Sequence, residues 1–482
     1  MICRFNKITH THYKHVVIKI CRYSGIHNEG ASFATSGHPS DYQNIPSPKG
    51  LPVIGTSLAI IAAGGAPHLH IYADRRHKQL GPIFSDKIGP VSAIFLSDPE
   101  LMRAVFTQEG KYPVHILPEA WTLYNKFYGC KRGLFFMNGA EWLHYRRIMN
   151  KHLLKGDFTW IEESCRIVSK DLVANWKVLI SQNKILPNLE ERLYRWSLNT
   201  FVAVLLGRNA YNEHKNELDD LLEYLSSTVH RIFETSVKFQ IFPATLAHKF
   251  KFKSWDRFVK SVDDAMKLAN ELVNRLNEIP GGDGLLARMK SENLPKSDIT
   301  RIVVDLVLAA GDTTAYTMSW MLYLIARHKD IQDNLRRNPS AINLKNVIRE
   351  CLRLYPTAIF LTRILPQDSI IGGYKIPEGT LMLFSMYTSG RNSKYFENPN
   401  KFLPDRWLRE NSTSNMQQVC IPFGFGARSC IGRKIAENQL QCLLMDVINS
   451  FDLELENNKE IELVLKMVAV PSEPIRLKLN PI

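Results

Sequence analysis

The run FGFGARSCIG over residues 423–432 constrains this chain more than any other feature. A single cysteine, Cys430, stands between Gly426 and Gly432, and Arg428 precedes it by two residues. A thiolate is a strong ligand for haem iron, and its electron donation favours cleavage of an O–O bond. Glycines let the backbone fold tightly around a sulfur, so that peptide N–H groups point at it. The bland alternative is a buried cysteine in a glycine-rich loop, and the full pattern favours an iron ligand.

The run resembles the haem-binding loop of the cytochrome P450 family, Phe-x-x-Gly-x-Arg-x-Cys-x-Gly, at every fixed position from Phe423 to Gly432. The resemblance covers residues 45–475 and implies haem b with Cys430 as its axial thiolate ligand. Arg428 can meet a haem propionate as a fork of donors. The implied fold is a single mainly α domain with a smaller β region, with the haem between a long central helix and the cysteine loop.

Composition agrees with one large domain over residues 45–482, since no repeat or long low-complexity segment interrupts it. The eight cysteines are scattered and none forms a CxxC pair. That spacing argues against a structural zinc site or a disulfide framework and fits a reducing compartment. A net charge of +14 suits nucleic acid, anionic lipid or an acidic protein partner, and the last two are favoured because no nucleic-acid module is recognised.

Residues 1–40 are basic and contain hydroxyl side chains, and no acidic residue precedes Glu29. This composition resembles a mitochondrial transit peptide, although a disordered basic tail would have the same character. The resemblance predicts a protein on the matrix side of the inner mitochondrial membrane, in peripheral contact with it.

Hydrophobic periodicity predicts amphipathic helices and short strands in a mainly α order. The helices are expected at 142–154, 218–233, 261–279, 344–354 and 433–451, and the strands at 91–95, 370–376, 380–384 and 475–479. The longest helix is expected at 298–327, capped by Ser297 or Asp298 and apolar on nearly all sides. Asp305 and Asp312 near its middle favour a core helix over a membrane span.

Asp312 and Thr313 are the predicted catalytic residues, within the run AAGDTT at 309–314. Small neighbours leave a groove for dioxygen, Thr313 can hydrogen-bond it, and Asp312 can relay protons from solvent. Polar residues that satisfy each other in a core helix are the alternative. The run is similar to the family's oxygen-activation motif, except that Ala310 stands where glycine is usual and Gly311 follows. The groove is therefore expected to differ in shape.

Further candidates support the haem. Glu350 and Arg353 form a Glu-x-x-Arg pair, which alone could be a surface pair. The resemblance implies instead a buried network with Arg406, structural in role. Trp142 and Arg146 match a family Trp-x-x-x-Arg pattern and share a helix face, so both can bind one propionate. Arg363 is a weaker candidate for the other propionate, because a lone arginine is usually a solvated charge.

Four basic residues are candidates for docking an electron donor: Lys345, Arg349, Arg433 and Lys434. Ordinary surface charge is the alternative. The mitochondrial branch of the family has basic residues at these places, which implies an acidic ferredoxin as partner. NADPH would then act upstream, at the ferredoxin reductase, since this chain has no glycine-rich dinucleotide fingerprint.

The substrate is expected to be a lipophilic steroid. Residues 238–258 mix aromatic and basic side chains, which suits a monotopic membrane contact, or an ordinary loop. Residues 308–317 are most similar to arthropod members that hydroxylate ecdysteroid precursors in hormone biosynthesis, and 2-hydroxylation is the first expectation. A broad xenobiotic monooxygenase is the rival. An isomerase or gas sensor is disfavoured, because such a protein need not keep Asp312 and Thr313.

Overall fold

The computed structural model describes residues 39–181, 185–240 and 242–482. Nearly all of the predicted leader therefore lies outside the described residues. The chain folds into two compact units, one made of the described residues up to Ile116 together with Phe360–Ser389, and the other of Leu117–Ile359 and Gly390–Ile482. Helix dominates over strand, as the sequence predicts.

The helices are numbered in chain order. They are α1 Ser57–Ala62, α2 Leu69–Leu80, α3 Pro99–Thr107, α4 Glu119–Phe127, α5 Gly139–Leu153, α6 Thr159–Ile180, α7 Leu189–Leu206, α8 Arg208–His214, α9 Asp219–Val237, α10 Ala244–Lys249, α11 Lys253–Glu278, α12 Leu285–Ser291, α13 Lys296–Arg327, α14 Lys329–Arg337, α15 Ala341–Leu354, α16 Met386–Gly390, α17 Ser414–Val419 and α18 Arg433–Ile448. The strands are β1 Ile83–Ile88, β2 Val91–Leu96, β3 Phe360–Ile364, β4 Ser369–Ile371, β5 Tyr374–Ile376, β6 Leu381–Ser385, β7 Phe451–Leu455, β8 Leu463–Lys466, β9 Val468–Pro471 and β10 Leu477–Pro481.

The first unit is built on a four-stranded sheet in the order β1-β2-β6-β3. Strands β1 and β2 are antiparallel, β2 and β6 parallel, and β6 and β3 antiparallel. The last four residues of β2, a run of apolar side chains, are buried, which is typical of an interior strand with a parallel neighbour. The rings of Phe84 and Phe95 stack at 4.8 Å in the core of this unit.

The second unit surrounds α13, which runs for 32 residues and packs against α7 and α11. Every residue from Thr314 to Ile325 is buried, which explains why its sequence is apolar on almost all sides. The predicted cap at Ser297 or Asp298 is wrong, because the helix begins at Lys296 after Pro295. Asp298 instead accepts hydrogen bonds from Tyr145 and from Arg301 Nε, the latter at 2.9 Å. A tertiary contact has taken the carboxylate that the capping rule assigned.

Residues 238–258 are largely helical. They comprise a 3-10 turn at Lys238–Gln240, α10 and the beginning of α11. Helix α11 starts at Lys253, eight residues before the predicted start, since Trp255 and Phe258 continue its buried stripe toward the N-terminus. Phe250 is exposed, so the aromatic residues of this segment are divided between core and surface. Among the described residues, none of the helices combines the length and the hydropathy needed to cross a bilayer.

Candidate functional site

The loop before α18 wraps closely around Cys430. The Cys430 N–H donates to Phe423 O at 2.7 Å, and the Gly424 N–H donates to Ile421 O at 2.9 Å. Gly426 has a φ of 73°, a conformation that side chains with a Cβ rarely adopt, so the sequence needs glycine there. Helix α18 begins at Arg433, directly after the loop. The sulfur therefore lies near a helix N-terminus, where the helix dipole favours a thiolate.

The charge on Cys430 is set by opposing influences. Desolvation raises the pKa of its thiol, and a hydrogen bond from the Gly432 N–H and the charges of Arg146 and Arg433 act to lower it. The residue is exposed to solvent although protein surrounds it closely. Within the described residues, no group of three or more His, Cys, Asp or Glu side chains could hold a metal ion by itself. A lone thiolate with a peptide N–H donor is the donor set that fits haem iron.

Arg146 is a buried cation beside this loop. From α5 it donates Nη2 to Ser429 O at 2.7 Å, and its Nε has no hydrogen-bond partner in the described part of the chain. Burial lowers the pKa of its guanidinium to about 10, while the Cys430 charge acts in the opposite direction. None of the ion pairs among the described residues includes it. Since a buried guanidinium needs an anion, Arg146 fits the carboxylate of a haem propionate.

Arg428 lies over the ring of Trp142, with its guanidinium carbon 4.1 Å from the ring centroid. It donates Nη2 to Met137 O at 2.7 Å and to Asn138 Oδ1 at 2.8 Å, and Nη1 to Leu134 O at 3.2 Å. The structure thus brings Arg428, Trp142 and Arg146 together at the cysteine loop. Arg428 also has a second role that the sequence did not predict, since its hydrogen bonds hold the 134–138 loop against the cysteine loop.

The other end of that loop is attached to α13. Arg132 Nε donates to Asp305 Oδ1 at 2.7 Å, and both side chains are almost wholly buried. The guanidinium of Arg132 also lies over the rings of Trp121 and Phe136. A chain of contacts therefore runs from the cysteine loop through 132–138 to the middle of α13.

Arg363 lies in the first unit, on β3, and the structure pairs it with an acid. Its Nε donates to Glu109 Oε2 at 2.6 Å, and both side chains are buried. Glu109 already supplies Arg363 with a counter-ion. If Arg363 also contacted a haem propionate, as predicted, the Glu109 carboxylate and the propionate would share one guanidinium. That role stays a prediction. Sequence reasoning missed Glu109, which precedes Arg363 by 254 residues.

Near its middle, helix α13 has one face that is not fully buried. Between Val307 and Ile325 every residue is buried except Ala309, Ala310 and Thr313, which share one side of the helix at spacings of three and four. Thr313 Oγ1 donates to Ala309 O at 3.1 Å. This face, with small side chains and one hydroxyl, fits the predicted groove for dioxygen.

Asp312 points away from this face and is 1% exposed. Its Oδ1 lies 3.5 Å from His230 Nδ1, and its Oδ2 has no hydrogen-bond partner among the described residues. Burial raises the pKa of Asp312, while His230 acts to lower it. No hydrogen bond between Asp312 and Thr313 is present in the described ranges. The acid and the alcohol are therefore neighbours in sequence that lie on different faces of the helix. The contact between Asp312 and His230 was not predicted from the sequence.

The shift of glycine from position 310 to 311 has a structural cause. A Cβ at Gly311 would lie 2.3 Å from Cζ of Tyr194, a residue of α7. The Ala310 carbonyl accepts a hydrogen bond from Ser197 Oγ at 2.8 Å, also from α7. Close approach of α7 therefore requires a residue without a side chain at 311, while 310 tolerates alanine on the open face.

Glu350, Arg353 and Arg406 meet in a buried network. The Glu350 carboxylate accepts from Arg353 Nη2 at 2.7 Å and from Arg406 Nε at 2.9 Å, and the Glu350 and Arg353 side chains are fully buried. Trp407 Nε1 adds a hydrogen bond at 2.8 Å. Within the described ranges, none of these groups reaches the open face of α13 through a hydrogen bond, which agrees with a structural role.

The four candidate docking residues differ in their exposure to solvent and in their side-chain partners. Lys345 is exposed on α15, and the Arg349 guanidinium lies over Trp407, 4.6 Å from the ring centroid. Arg433 and Lys434 share one acid, with distances to the Glu437 carboxylate of 2.8 Å and 3.1 Å. All four side chains remain at least partly exposed, and Lys345 and Arg433 are the most open to solvent.

Comparison with known proteins defines the class. The family model described as Cytochrome P450 matches residues 45–479. The chain therefore belongs to the cytochrome P450 family, and it is a monooxygenase whose haem is held by a cysteine thiolate. This confirms the expected family, the mainly α fold and the cofactor.

Particular relatives are mitochondrial enzymes by name. The chain is 40% identical to "Cytochrome P450 315a1, mitochondrial" of Drosophila melanogaster, over 91% of this chain and 89% of that protein. It is 27% identical to the mitochondrial 1,25-dihydroxyvitamin D(3) 24-hydroxylase of Rattus norvegicus, over 93% and 91%. It is 28% identical to the mitochondrial cholesterol side-chain cleavage enzyme of Oncorhynchus mykiss, over 87% and 86%.

Proposed function

We propose that this protein is a mitochondrial steroid hydroxylase that inserts one oxygen atom at C-2 of an ecdysteroid precursor in hormone biosynthesis. The observation that carries the haem-thiolate assignment is Cys430, held at the start of α18 with the Gly432 N–H donating to its sulfur. The steroid class rests on the names of the relatives, two of which act on a secosteroid or a sterol. The 2-hydroxylation rests on the resemblance of residues 308–317 to arthropod ecdysteroid hydroxylases.

The residues of this chain divide the chemistry among them. Bound haem supplies the activation of dioxygen and the attack on a C–H bond. Cys430 would ligate the iron as a thiolate, whose charge the Gly432 N–H, Arg146 and Arg433 would stabilise. Arg146 and Trp142 would hold one propionate, with Arg428 beside them. Thr313 presents its hydroxyl on the open face of α13, and Asp312 supplies protons from the buried face.

The location follows from the leader and the surface. Residues 1–40 act as a transit peptide, which places the enzyme in the matrix. The second unit carries a patch of exposed apolar side chains between α9 and α11, which are Phe242, Leu246, Phe250 and Phe252. Lysines lie nearby in the sequence. Apolar side chains flanked by lysines favour peripheral binding to an anionic bilayer such as the inner mitochondrial membrane, through which a lipophilic steroid would reach the enzyme.

An acidic ferredoxin is the proposed electron donor, and it docks on the basic residues of α15 and α18. Lys345→Glu is expected to slow reduction roughly tenfold at low salt, because steering between opposite charges accounts for part of the association rate. Lys177→Glu, an equal charge reversal at an exposed position of α6, is the matched control. Stopped-flow reduction at several salt concentrations measures both. Equal rates for the two variants would contradict the docking assignment.

Turnover tests the proposed function directly. The leader-trimmed protein is supplied with NADPH, ferredoxin, ferredoxin reductase and a 2-deoxyecdysteroid, and the products are identified by mass spectrometry. A single 2-hydroxylated product is expected. Several products from unrelated lipophilic compounds would support the xenobiotic rival, and consumption of NADPH without steroid product would refute the proposed substrate.

The cysteine assignment has its own control pair. Cys430→Ser should abolish the thiolate-type absorption of the ferrous carbonyl form, because serine does not supply the soft ligand. Cys130→Ser, at a partly exposed cysteine of the same unit, should leave that spectrum unchanged. A thiolate spectrum that survives in Cys430→Ser would disprove the assignment.

A further inference from the structure

His230 connects the buried acid of α13 with solvent. From α9, its Nδ1 lies 3.5 Å from Asp312 Oδ1, an ion-pair distance, and its Nε2 lies 3.8 Å from Glu234 Oε1. The imidazole side chain is 42% exposed, whereas that of Asp312 is 1% exposed. One ring nitrogen therefore faces the buried carboxylate while the ring itself is open to water.

The described residues offer Asp312 no other proton donor of suitable strength. Tyr194 on α7 and Tyr316 on α13 face it, and burial together with the Asp312 charge raises the pKa of both phenols. Glu190 of α7 and Glu234 of α9 add negative charge around His230, with Lys466 opposing at Glu190. Neither tyrosine forms a hydrogen bond with Asp312 in the described part of the chain.

Burial brings the proton affinities of the two groups closer together, whereas their ion pair moves them apart. The Asp312 carboxylate raises the pKa of His230 through its hydrogen bond and charge, although burial opposes it. Burial raises the pKa of Asp312, although the imidazolium opposes it. Burial is therefore the influence that favours transfer between them, because proton transfer is efficient when the donor and acceptor have similar affinities.

We infer that His230 is the positioning residue through which Asp312 takes up protons from solvent. In each transfer the imidazolium gives its Nδ1 proton to Asp312 Oδ1, which leaves a neutral imidazole and a carboxylic acid. Asp312 returns to the carboxylate when it releases that proton during turnover, and His230 takes up another from water. The inference rests on the proposed role of Asp312 in monooxygenation.

The first experiment measures the pair without turnover. The holoprotein, labelled with ¹³C in its histidine rings and held in the ferrous carbonyl form, is titrated by NMR. The His230 resonance is identified by its loss in His230→Gln. Its midpoint should lie above the ordinary 6.5 and fall by roughly one pH unit in Asp312→Asn, the size expected for loss of a nearby opposite charge.

His214 provides the matched control, since it pairs with Glu217 at 3.2 Å in the same unit without contacting Asp312. Its resonance should be unaffected by Asp312→Asn. A His230 midpoint that also stays unchanged would overturn the inference, because the two groups would then not be coupled.

The second experiment measures product formed per NADPH against pH for four proteins: wild type, His230→Gln, Asp312→Asn and His214→Gln. His230→Gln should lower the yield roughly tenfold at neutral pH. It should also abolish the loss of yield that wild type shows as pH rises through the His230 midpoint. His214→Gln should behave as wild type.

The outcomes separate the inference from the proposed function. A low yield in Asp312→Asn with a normal yield in His230→Gln would overturn the inference and leave the proposed role of Asp312 intact. A normal yield in Asp312→Asn would reject that role, and the inference with it. A low yield in both variants, with the pH dependence lost in His230→Gln, supports both.

Discussion

Replacing Glu350 by glutamine tests how much the buried charge network contributes to stability. The carboxylate accepts five hydrogen bonds: two from Arg353 at 2.7 and 2.8 Å, and one each from Trp407 at 2.8 Å, Arg406 at 2.9 Å and the Leu403 N–H at 3.0 Å. Glutamine keeps the shape but turns an NH₂ group toward these donors. It also leaves two buried arginines without their negative partner, at a cost of about 3–5 kcal/mol.

Urea unfolding of the holoprotein, followed by circular dichroism and by haem absorbance, measures the loss of unfolding free energy. Glu437→Gln is the control, because Glu437 also accepts from two cations, Arg433 and Lys434, but is partly open to solvent. Its loss should stay below about 1 kcal/mol, as for surface pairs. If Glu350→Gln and Glu437→Gln unfold at the same urea concentration, burial does not set the strength of this network and the reasoning is refuted.

Three further predictions concern the fold and the site. Burial lowers the pKa of His77 to about 4, so on acidification the unfolded chain takes up a proton at this residue before the folded chain does. The free energy of unfolding in urea should therefore fall by up to about 3 kcal/mol as the pH is lowered from 6.5 to 4. His77→Gln should flatten that fall, and an unchanged slope would exclude His77 as its cause. Gly311→Ala should cost about 1–3 kcal/mol of unfolding free energy by overpacking against Tyr194, and Tyr194→Ala in the same chain should recover part of it; additive losses would contradict the clash. Arg428→Lys should speed haem transfer to apomyoglobin roughly 10- to 100-fold, because a lysine cannot replace the guanidinium fork; an unchanged rate would show that the fork is dispensable.

Local patterns in the sequence predicted what local geometry determines. The tight glycine-containing turn around Cys430 and the buried, apolar core of α13 follow from residues that are close together in the chain. The contacts that the sequence did not reveal join distant segments. His230 precedes Asp312 by 82 residues, and no periodicity encodes which helix packs beside α13.

Two differences from expectation show how tertiary packing overrides a local rule. The aromatic residues of 238–258 suggested a membrane contact as one group, yet Trp255 and Phe258 belong to the buried stripe of α11. Their spacing with Val262 and Ala265 already follows the helical repeat, and that signal could have been found. The cap at Asp298 failed for a different reason, since the helix begins two residues earlier and Tyr145 and Arg301 donate to that carboxylate.

The contact between Gly311 and Tyr194 also restricts the order in which these positions can change over evolutionary time. A lineage that starts with alanine at 311 cannot acquire tyrosine at 194 first, because the intermediate would place a methyl group 2.3 Å from a phenol carbon. Glycine at 311 has to come before the tyrosine, and afterwards the tyrosine prevents its reversal. The two positions should therefore covary among homologous chains, with an aromatic residue at 194 found only where 311 is glycine.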